Sequence, residues 1–245
     1  MKIMQVLHGA GILTNFGTMG ACSVTLVEDG SSILVDTGHF GNRQMLLDNL
    51  VRLGLDPTKI DIVVLTHLNW DHCLNVDLFN SSRIMLSKTE FERGTLSGHK
   101  DNATAWYKES LKQMDLELVS EDLAITGNCR LLMTPGHTPG HMSVVCRSGK
   151  RMTVIAGDAI PNMRSYKRGI PDFVFHDKKA AKKSNEKVLG LHPYMIIPGH
   201  DDPFGDKGYF SRQTIDITLR TDREENLSSS IGWKVPDTPM IYEEI

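Results

Sequence analysis

The sequence predicts an α/β fold in which strands and helices form packed layers. Short apolar runs that suit buried strands alternate along the chain with segments whose apolar residues recur at helical spacing. Histidine and aspartate, the residue types that bind metals, follow several of these apolar runs. With 245 residues, 40% of them hydrophobic and 23% charged, the chain resembles an ordinary globular protein that buries a substantial core.

The N-terminal third contains a predicted hairpin, followed by a predicted helix that connects two strands. Asp29-Gly30 suits a type I′ turn between two strands, and Gly54 with Pro57 ends the helix that follows them. The continuous apolar run at 60–65 indicates a strand that is buried on both faces. Strands are predicted at 3–7, 22–27, 32–35, 60–65 and 83–86, a loop at 9–20 and a helix at 41–53.

The remaining two thirds repeat this plan of strands followed by a helix. Strands are predicted at 116–119, 131–134, 142–147, 152–156 and 195–197, and helices at 103–114 and 178–189. We expect a single domain over residues 1–245. Its segment 204–245 would be a C-terminal extension that caps the domain, contacts a neighbouring subunit or is partly mobile.

Charge and cysteine content narrow the classes of partner. The formal net charge of −3 argues against nucleic acid as a partner, and no apolar run approaches the length that spans a bilayer. Four cysteines without a CxxC pair, and a start that lacks a signal peptide, predict reduced thiols in a cytoplasmic protein. A small-molecule substrate is the expected partner, and a homo-oligomer is left open.

The strand predicted at 60–65 leads directly into a metal-binding pattern. The pattern HxNxDH is formed by His67-Leu68-Asn69-Trp70-Asp71-His72. A loop that leaves a buried strand can splay alternate side chains, so His67 and Asn69 can meet one ion while Asp71 and His72 turn to a second. Imidazole suits zinc and iron, and carboxylate oxygen suits harder divalent ions.

Other strand ends carry matching ligand types. His137 and His200 each follow Pro-Gly, and Asp158 follows a glycine at the end of an apolar run. Asp36 lies in a DTG at the end of another predicted strand. Such residues share one rim in layered α/β folds, where two ions about 3.5–4 Å apart can share a water. The sequence therefore predicts a centre for one or two divalent ions.

The motifs THxxxDH, TPGHTPGH, GD and PGHD, in this order, resemble those of the metallo-β-lactamase-fold hydrolases across residues 22–202. The resemblance implies a four-layer αββα sandwich with metals at one sheet edge. It also implies that Asp36 is a buried residue that orients the ligand loop. The ligands it implies are His67, Asn69 and His137 for the first metal, Asp71, His72 and His200 for the second, and Asp158 as a bridge.

Within that family the sequence is most similar to the glyoxalase II and acyl-homoserine-lactone lactonase branch. The resemblance implies a hydrolase in which metal-bound hydroxide attacks a small ester, thioester or lactone, with Asp71 as the catalytic residue. Zinc is the favoured metal, with iron or manganese as alternatives. The lactonases carry a tyrosine three residues after the bridging aspartate, where this chain has Pro161. Tyr166 is the candidate to replace it.

Asn69 departs from the family pattern, which has histidine there. Its amide oxygen can still bind a metal, the first site can be weakly filled or empty, or the protein can have lost hydrolysis. An iron-containing redox protein and a non-catalytic binding protein are therefore alternatives to the hydrolase. Trp70 is either a pocket wall or a core residue, Cys73 a small buried residue, and His141 either a partner of the ligands or ordinary.

Overall fold

The computed structural model describes residues 1–14, 17–92, 103–212, 215–217, 231–233 and 240–244. Eighteen strands lie within these ranges. In chain order they are Lys2–Leu7 (β1), Ala10–Thr14 (β2), Gly17–Ala21 (β3), Val24–Glu28 (β4), Ser32–Val35 (β5), Ile62–Val64 (β6), Arg83–Ser87 (β7), Asp115–Val119 (β8), Leu123–Ala124 (β9), Cys129–Met133 (β10), Met142–Ser148 (β11), Arg151–Gly157 (β12), Met195–Pro198 (β13), Phe204–Gly205 (β14), Gly208–Tyr209 (β15), Ile215–Ile217 (β16), Ile231–Trp233 (β17) and Met240–Glu244 (β18).

Six α-helices and three short 3₁₀ helices are described between these strands. Three of the α-helices coincide with the predicted helices, and several helices begin at a side chain that accepts from the first turn. The α-helices are Arg43–Arg52 (α1), Trp70–Cys73 (α2), Lys88–Glu92 (α3), Ala103–Leu111 (α4), Met163–Arg168 (α5) and Lys178–Leu189 (α6), and the 3₁₀ helices are Phe40–Asn42, Pro57–Lys59 and Val76–Phe79.

The first sheet has seven strands in the order β18-β1-β4-β5-β6-β7-β8. Strands β5 to β8 run parallel to one another, with the crossover helices between them in sequence. The carboxyl ends of parallel strands lie at one edge of a sheet, so the chain segments that follow β5 and β6 meet there. Asp36 directly follows β5, and the HxNxDH pattern begins three residues after β6.

The second sheet also has seven strands, in the order β15-β14-β13-β12-β11-β10-β9. Strands β12 and β13 are parallel, so Asp158 and His200 leave this sheet at the same edge. The antiparallel pair β10 and β11 is joined by residues 134–141, which carry the TPGHTPGH motif. This topology delivers the remaining predicted ligands to a common edge.

Three buried apolar clusters separate four layers. The middle cluster takes residues from both sheets, such as Ile33 and Val64 of the first sheet and Val144 and Ile155 of the second. The two outer clusters join each sheet to the helices on its other face. The predicted four-layer αββα sandwich is therefore confirmed.

Two local predictions were wrong. The predicted loop at 9–20 contains the hairpin of β2 and β3, paired from Ala10↔Ala21 to Thr14↔Gly17. Its glycines suggested a loop, but the hairpin forms and lies beside the predicted metal ligands, since a Cβ at Gly20 would be in van der Waals contact with Asp71. The turn at 29–31 has three residues and only its glycine has a positive φ, so it is not type I′.

The sequence reading also missed α5, although its capping signals are present. The Asn162 side chain accepts from the Ser165 amide, and Gly169 ends the helix in the left-handed region with a φ of 68°. In the segment 204–245, β18 pairs antiparallel with β1 and so extends the first sheet. The domain boundaries stay a prediction. Among the described residues, no helix combines the length and apolarity needed to cross a membrane.

Candidate metal centre

Seven predicted metal ligands converge at the edge where the two sheets deliver their loops. They come from four separate parts of the chain and are joined by short distances between their nitrogen and oxygen atoms. All but two of them are buried. These residues are His67, Asn69, Asp71, His72, His137, Asp158 and His200.

The carboxylate of Asp158 lies between two groups of imidazoles. Its Oδ2 is 3.3 Å from His137 Nε2, on one side of the centre. Its Oδ1 is 3.3 Å from His200 Nε2 and 3.6 Å from His72 Nε2, on the other side. The two oxygens therefore face different groups, which is the disposition of a carboxylate that bridges two cations.

One group of donors surrounds Asp71. Asp71 Oδ2 lies 3.4 Å from His200 Nε2 and 3.9 Å from His72 Nε2. The two imidazole nitrogens are 3.4 Å from each other. One ligand atom from each of these three residues lies within 4.8 Å of the others, so a single metal ion can contact all three.

The other group contains His67, His137 and Asn69. The rings of His67 and His137 meet edge to face, with centroids 4.9 Å apart. Asn69 precedes the first residue of α2, and its amide nitrogen lies 3.1 Å from His137 Nε2. Half a turn of the amide group would present its oxygen at the same place, so Asn69 can offer a neutral oxygen ligand.

The rings of His137 and His200 are oriented by backbone carbonyls. His137 Nδ1 donates to the Phe173 carbonyl at 2.8 Å, and His200 Nδ1 donates to the Ala21 carbonyl at 3.1 Å. Because Nδ1 keeps its proton for the carbonyl, the neutral form of each ring presents the lone pair of Nε2 to the centre. This arrangement is typical of histidines that bind metals.

Asp36 orients the two remaining histidines. Its Oδ2 accepts from His72 Nδ1 at 2.7 Å and from the Thr66 hydroxyl at 2.8 Å, and that hydroxyl lies 3.0 Å from His67 Nδ1. Its Oδ1 accepts from the Thr66 backbone N–H at 2.7 Å. Asp36 has a φ of 61°, a strained conformation for a residue with a side chain, and these hydrogen bonds hold it there.

The donor set fits a divalent cation. His67 is fully buried, and its Nε2 has no hydrogen-bond partner among the described residues. Leaving such a nitrogen without a partner is costly, and a cation would satisfy it. Imidazoles with carboxylates are the ligands that zinc, iron and manganese accept.

The electrostatics of the centre divide its four histidines into two pairs. Burial, reinforced by repulsion from His72, holds the pKa of His67 well below its usual value, and burial likewise lowers the pKa of His137. Burial would raise the pKa of Asp158, but the imidazoles of His200 and His72 hold it well below its usual value. His67 and His137 are therefore neutral and Asp158 is ionised, as metal ligands must be. Burial would lower the pKa values of His72 and His200, but the acidic groups around them, first Cys22 for His72 and Asp158 for His200, hold both pKa values above the usual value. These two rings therefore give up a proton when a cation binds.

Comparison with known proteins agrees with a metal centre at this place. Residues 17–200 match the model of the metallo-beta-lactamase superfamily. The chain belongs to this family. It is a hydrolase of the metallo-beta-lactamase fold, as its homologues named metallo-hydrolase and lactonase also indicate.

Three relatives illustrate the similarity. A protein of Methanocaldococcus jannaschii named "Probable metallo-hydrolase" is 30% identical over 69% of this chain and 70% of its own. An N-acyl homoserine lactonase of a Bacillus species is 26% identical over 64% of this chain and 62% of its own. A solved quorum-quenching N-acyl homoserine lactone lactonase is 21% identical, with a TM-score of 0.65 over 82% of this chain and 92% of its own.

Two residues of this metallo-beta-lactamase centre had no signal in the sequence. Glu90 of α3 is buried, and its two oxygens accept from the Leu68 amide at 3.3 Å and from the Gly140 amide at 3.0 Å. It therefore joins the two loops that carry the ligands. Cys22 is buried beside Asp36 and His72, and burial raises the pKa of its thiol to about 11.

His141 supports Asp158 through the backbone. Its Nε2 accepts from the Asp158 amide at 3.0 Å, and its Nδ1 donates to the Thr134 hydroxyl at 2.9 Å. Burial lowers the pKa of His141 to about 3, so the ring is neutral. Gly199 is also required here, because a Cβ at that position would lie 2.1 Å from Asp158 Oδ1.

Aromatic side chains border the centre. Trp70 is 36% exposed and meets the His39 ring edge to face, so it is not a core residue. Phe173, whose carbonyl holds His137, is 53% exposed. Cys73 is buried, as expected. Tyr166 does not replace the missing tyrosine, because its hydroxyl donates to Asp206 instead.

Proposed function

We propose that this chain is a metal-dependent hydrolase of a small ester, thioester or lactone. The observation that carries the proposal is Asp158, whose two oxygens face two separate groups of ligand atoms. The relatives named as N-acyl homoserine lactonases favour a lactone among these substrates.

The proposed ligand assignment follows the family resemblance, and the contacts of Asn69 and Asp158 with His137 and those around Asp71 support it. The cations would be zinc, which suits imidazole and carboxylate ligands, with iron or manganese accepted by the same donors. Asp158 would bind both. We assign His67, Asn69 and His137 to one cation and Asp71, His72 and His200 to the other.

Bound divalent ions would lower the pKa of a water molecule and polarise the substrate carbonyl. Asp71 is the residue placed to handle the proton, since its Oδ2 faces the centre from the more open side. Its carboxylate would accept the proton of the attacking water and return it to the leaving oxygen or sulfur. The water oxygen bonds to the carbonyl carbon while the carbon–oxygen or carbon–sulfur bond breaks.

The aromatic border supports a substrate with an apolar portion. Trp70 lies between Asn69 and Asp71 in sequence, and Phe173 is joined to His137 through its carbonyl. Trp70 and Phe173 are partly exposed, and the Phe173 ring stacks on Phe175, whose ring meets the His137 ring edge to face. An acyl chain or ring of the substrate would cover these rings. We therefore expect apolar acyl groups to be preferred over charged ones.

The test is turnover by protein stripped with a chelator and reloaded with zinc, manganese or iron(II). The panel is an N-acyl homoserine lactone, an aryl ester and an acyl thioester. We expect metal-dependent hydrolysis of at least one of them, and a loss of about 100-fold or more in Asp71→Ala. The matched control is Asp77→Ala, which changes an exposed aspartate on the neighbouring 3₁₀ helix.

The outcome of these assays decides between the alternatives. Metal binding without turnover of any substrate class by the reloaded protein would support the non-catalytic alternative. Full activity in Asp71→Ala would remove that residue from the mechanism. Trp70→Ala should raise KM for a long-chain acyl substrate more than for an acetyl ester, since only the longer chain reaches the aromatic border.

A further inference from the structure

Two cysteines face each other across β10 and β11, and neither is a predicted metal ligand. Cys129 and Cys146 are directly opposite in the antiparallel register. The Arg147 amide donates to the Asn128 carbonyl at 2.9 Å, which makes the adjacent pair the hydrogen-bonded one. Cys129 and Cys146 therefore form a non-hydrogen-bonded pair, in which side chains approach most closely.

The two sulfur atoms are already in contact. Their Sγ atoms lie 3.3 Å apart, and both residues are buried in the cluster between the sheets. Non-hydrogen-bonded pairs have Cα atoms about 4.5 Å apart, which lies within the range of about 4.4–6.8 Å that disulfides require. A bond between these sulfurs consequently needs side-chain rotation rather than movement of the strands.

We propose that Cys129 and Cys146 are an oxidisable pair that forms a disulfide with a peroxide as the oxidant. One hydrogen peroxide and two thiols give one disulfide and two water molecules. The sulfur of one cysteine attacks a peroxide oxygen, the O–O bond breaks and a sulfenic acid and water form. The other sulfur then attacks that sulfenic sulfur, and the second water leaves with the remaining thiol proton.

Cys129 is the sulfur that reacts first with peroxide. Its pKa is lowered, chiefly by the hydrogen bond with Cys146 and also by Thr126, whereas the hydrogen bond with Cys129 and burial raise the pKa of Cys146. Cys129 also lies on the strand next to β9, whose Leu123 and Ala124 are exposed. A small peroxide can reach it there during local opening of this short strand, and a bulky disulfide reagent is hindered.

The position of the pair gives the disulfide a structural effect. Strands β10 and β11 flank residues 134–141, the loop that supplies His137 and His141. The cysteines lie at the opposite end of these strands and are 17 positions apart in sequence. The bond would close this stretch into a ring and restrict the unfolded chain, which stabilises the native hairpin.

The experiment maps the thiols of the whole protein after oxidation. Reduced, metal-loaded protein is treated with hydrogen peroxide, quenched, unfolded and alkylated, and its peptides are analysed by mass spectrometry. We expect two of the four thiols to escape alkylation and one cross-linked peptide pair to contain Cys129 and Cys146. Cys22 and Cys73 should be alkylated, and dithiothreitol should restore all four thiols.

Thermal unfolding supplies a second readout. The unfolding temperature of the oxidised protein should rise by about 5 °C or more, because ring closure of this length is a substantial constraint. Cys146→Ser should show neither the cross-link nor the rise, whereas Cys73→Ser should keep both. Peroxide that leaves Cys129 as sulfinic acid, cross-links another pair or oxidises no thiol would overturn the proposal. The peptide map of the unmutated protein decides this even if a variant fails to fold.

Discussion

Asn69 occupies the place in the metal centre where the family pattern has a histidine. Its amide nitrogen lies 3.1 Å from His137 Nε2, so the side chain reaches the ligands and its length is suitable. An amide oxygen is neutral and a weaker donor to zinc than an imidazole nitrogen. The two halves of the centre should therefore differ in affinity, with the half that contains His67 and His137 the weaker one.

Asn69→His should raise metal affinity at the weaker half by about tenfold or more, which corresponds to about 1.4 kcal/mol. Calorimetric titration of chelator-stripped protein with zinc or manganese measures the change. Asn80→His, at an exposed position, is the matched control. If the unmutated protein binds two ions equally tightly and Asn69→His changes neither, Asn69 is a full ligand and the asymmetry is absent.

His141 should make the stability of metal-free protein depend on pH. Its pKa is about 3 in the folded state and about 6.5 when the chain unfolds. Between these values the unfolded chain binds the extra proton, so the free energy of unfolding falls as pH is lowered. The contribution approaches about 1.4 kcal/mol per pH unit below pH 6.

Urea unfolding at several pH values tests this dependence. His141→Gln retains a side-chain oxygen for the Asp158 amide. Its free energy of unfolding should depend less steeply on pH, by up to about 1.4 kcal/mol per pH unit, which corresponds to one proton. His176→Gln changes an exposed histidine and should keep the slope of the unmutated protein. Equal slopes in all three proteins would mean that folding does not lower the pKa of His141.

At the scale of elements, the loops with the ligands are held by their neighbours. The loop after β6 and the loop between β10 and β11 come from different sheets, and α3 joins them through Glu90. The β2–β3 hairpin approaches from another side, since Gly20 lies close to Asp71. The geometry of the centre therefore depends on elements that contribute none of its seven predicted ligands.

Glu90→Gln should weaken metal binding by about 10–100-fold, as is typical for residues that position metal ligands. The new amide group replaces one acceptor oxygen, so either the Leu68 or the Gly140 N–H loses its partner. A competition titration against a chromophoric chelator measures the affinity. Glu92→Gln, on the exposed side of the same short helix, should leave it unchanged. Equal affinities in both variants would remove Glu90 from the support of the centre.

At the scale of the whole molecule, the two sheets are held together by the apolar cluster between them. Its residues alternate along strands of both sheets with residues that face the outer helices. This packing sets the distance between the ligands of the first sheet and those of the second. Stability of the sandwich and assembly of the centre are therefore linked.

Leu131→Ala should lower the free energy of unfolding by about 2–5 kcal/mol, since Leu131 is fully buried between the sheets. Leu118→Ala, at a side chain 38% exposed on β8, should cost less than about 1 kcal/mol. Urea unfolding of metal-free protein gives both values. If both variants lose a similarly small free energy of unfolding, the side chains around Leu131 repack, and this contact between the sheets is not tightly packed.

Much of the fold and the candidate site could be predicted from local patterns. The run at 60–65, the helix at 178–189 and the ligand types at strand ends are signals carried by neighbouring residues. The missed β2–β3 hairpin is rich in glycine, which locally favours a loop, and its strands form through their mutual pairing. The missed helix α5 was recognisable from its caps, but it is only six residues long.

By itself, the sequence determined which residues can bind metal and which strands deliver them, because donor chemistry and strand periodicity are local properties. Only the tertiary structure decided how Asp158 divides its oxygens between the two groups, which atoms of His72 and Thr66 Asp36 contacts, and that Glu90 joins the two ligand loops. Glu90 and Gly140 are 50 positions apart, and Asp36 and His72 are 36 apart. Contacts at such separations arise from sheet topology and side-chain packing, which leave no mark on the adjacent sequence.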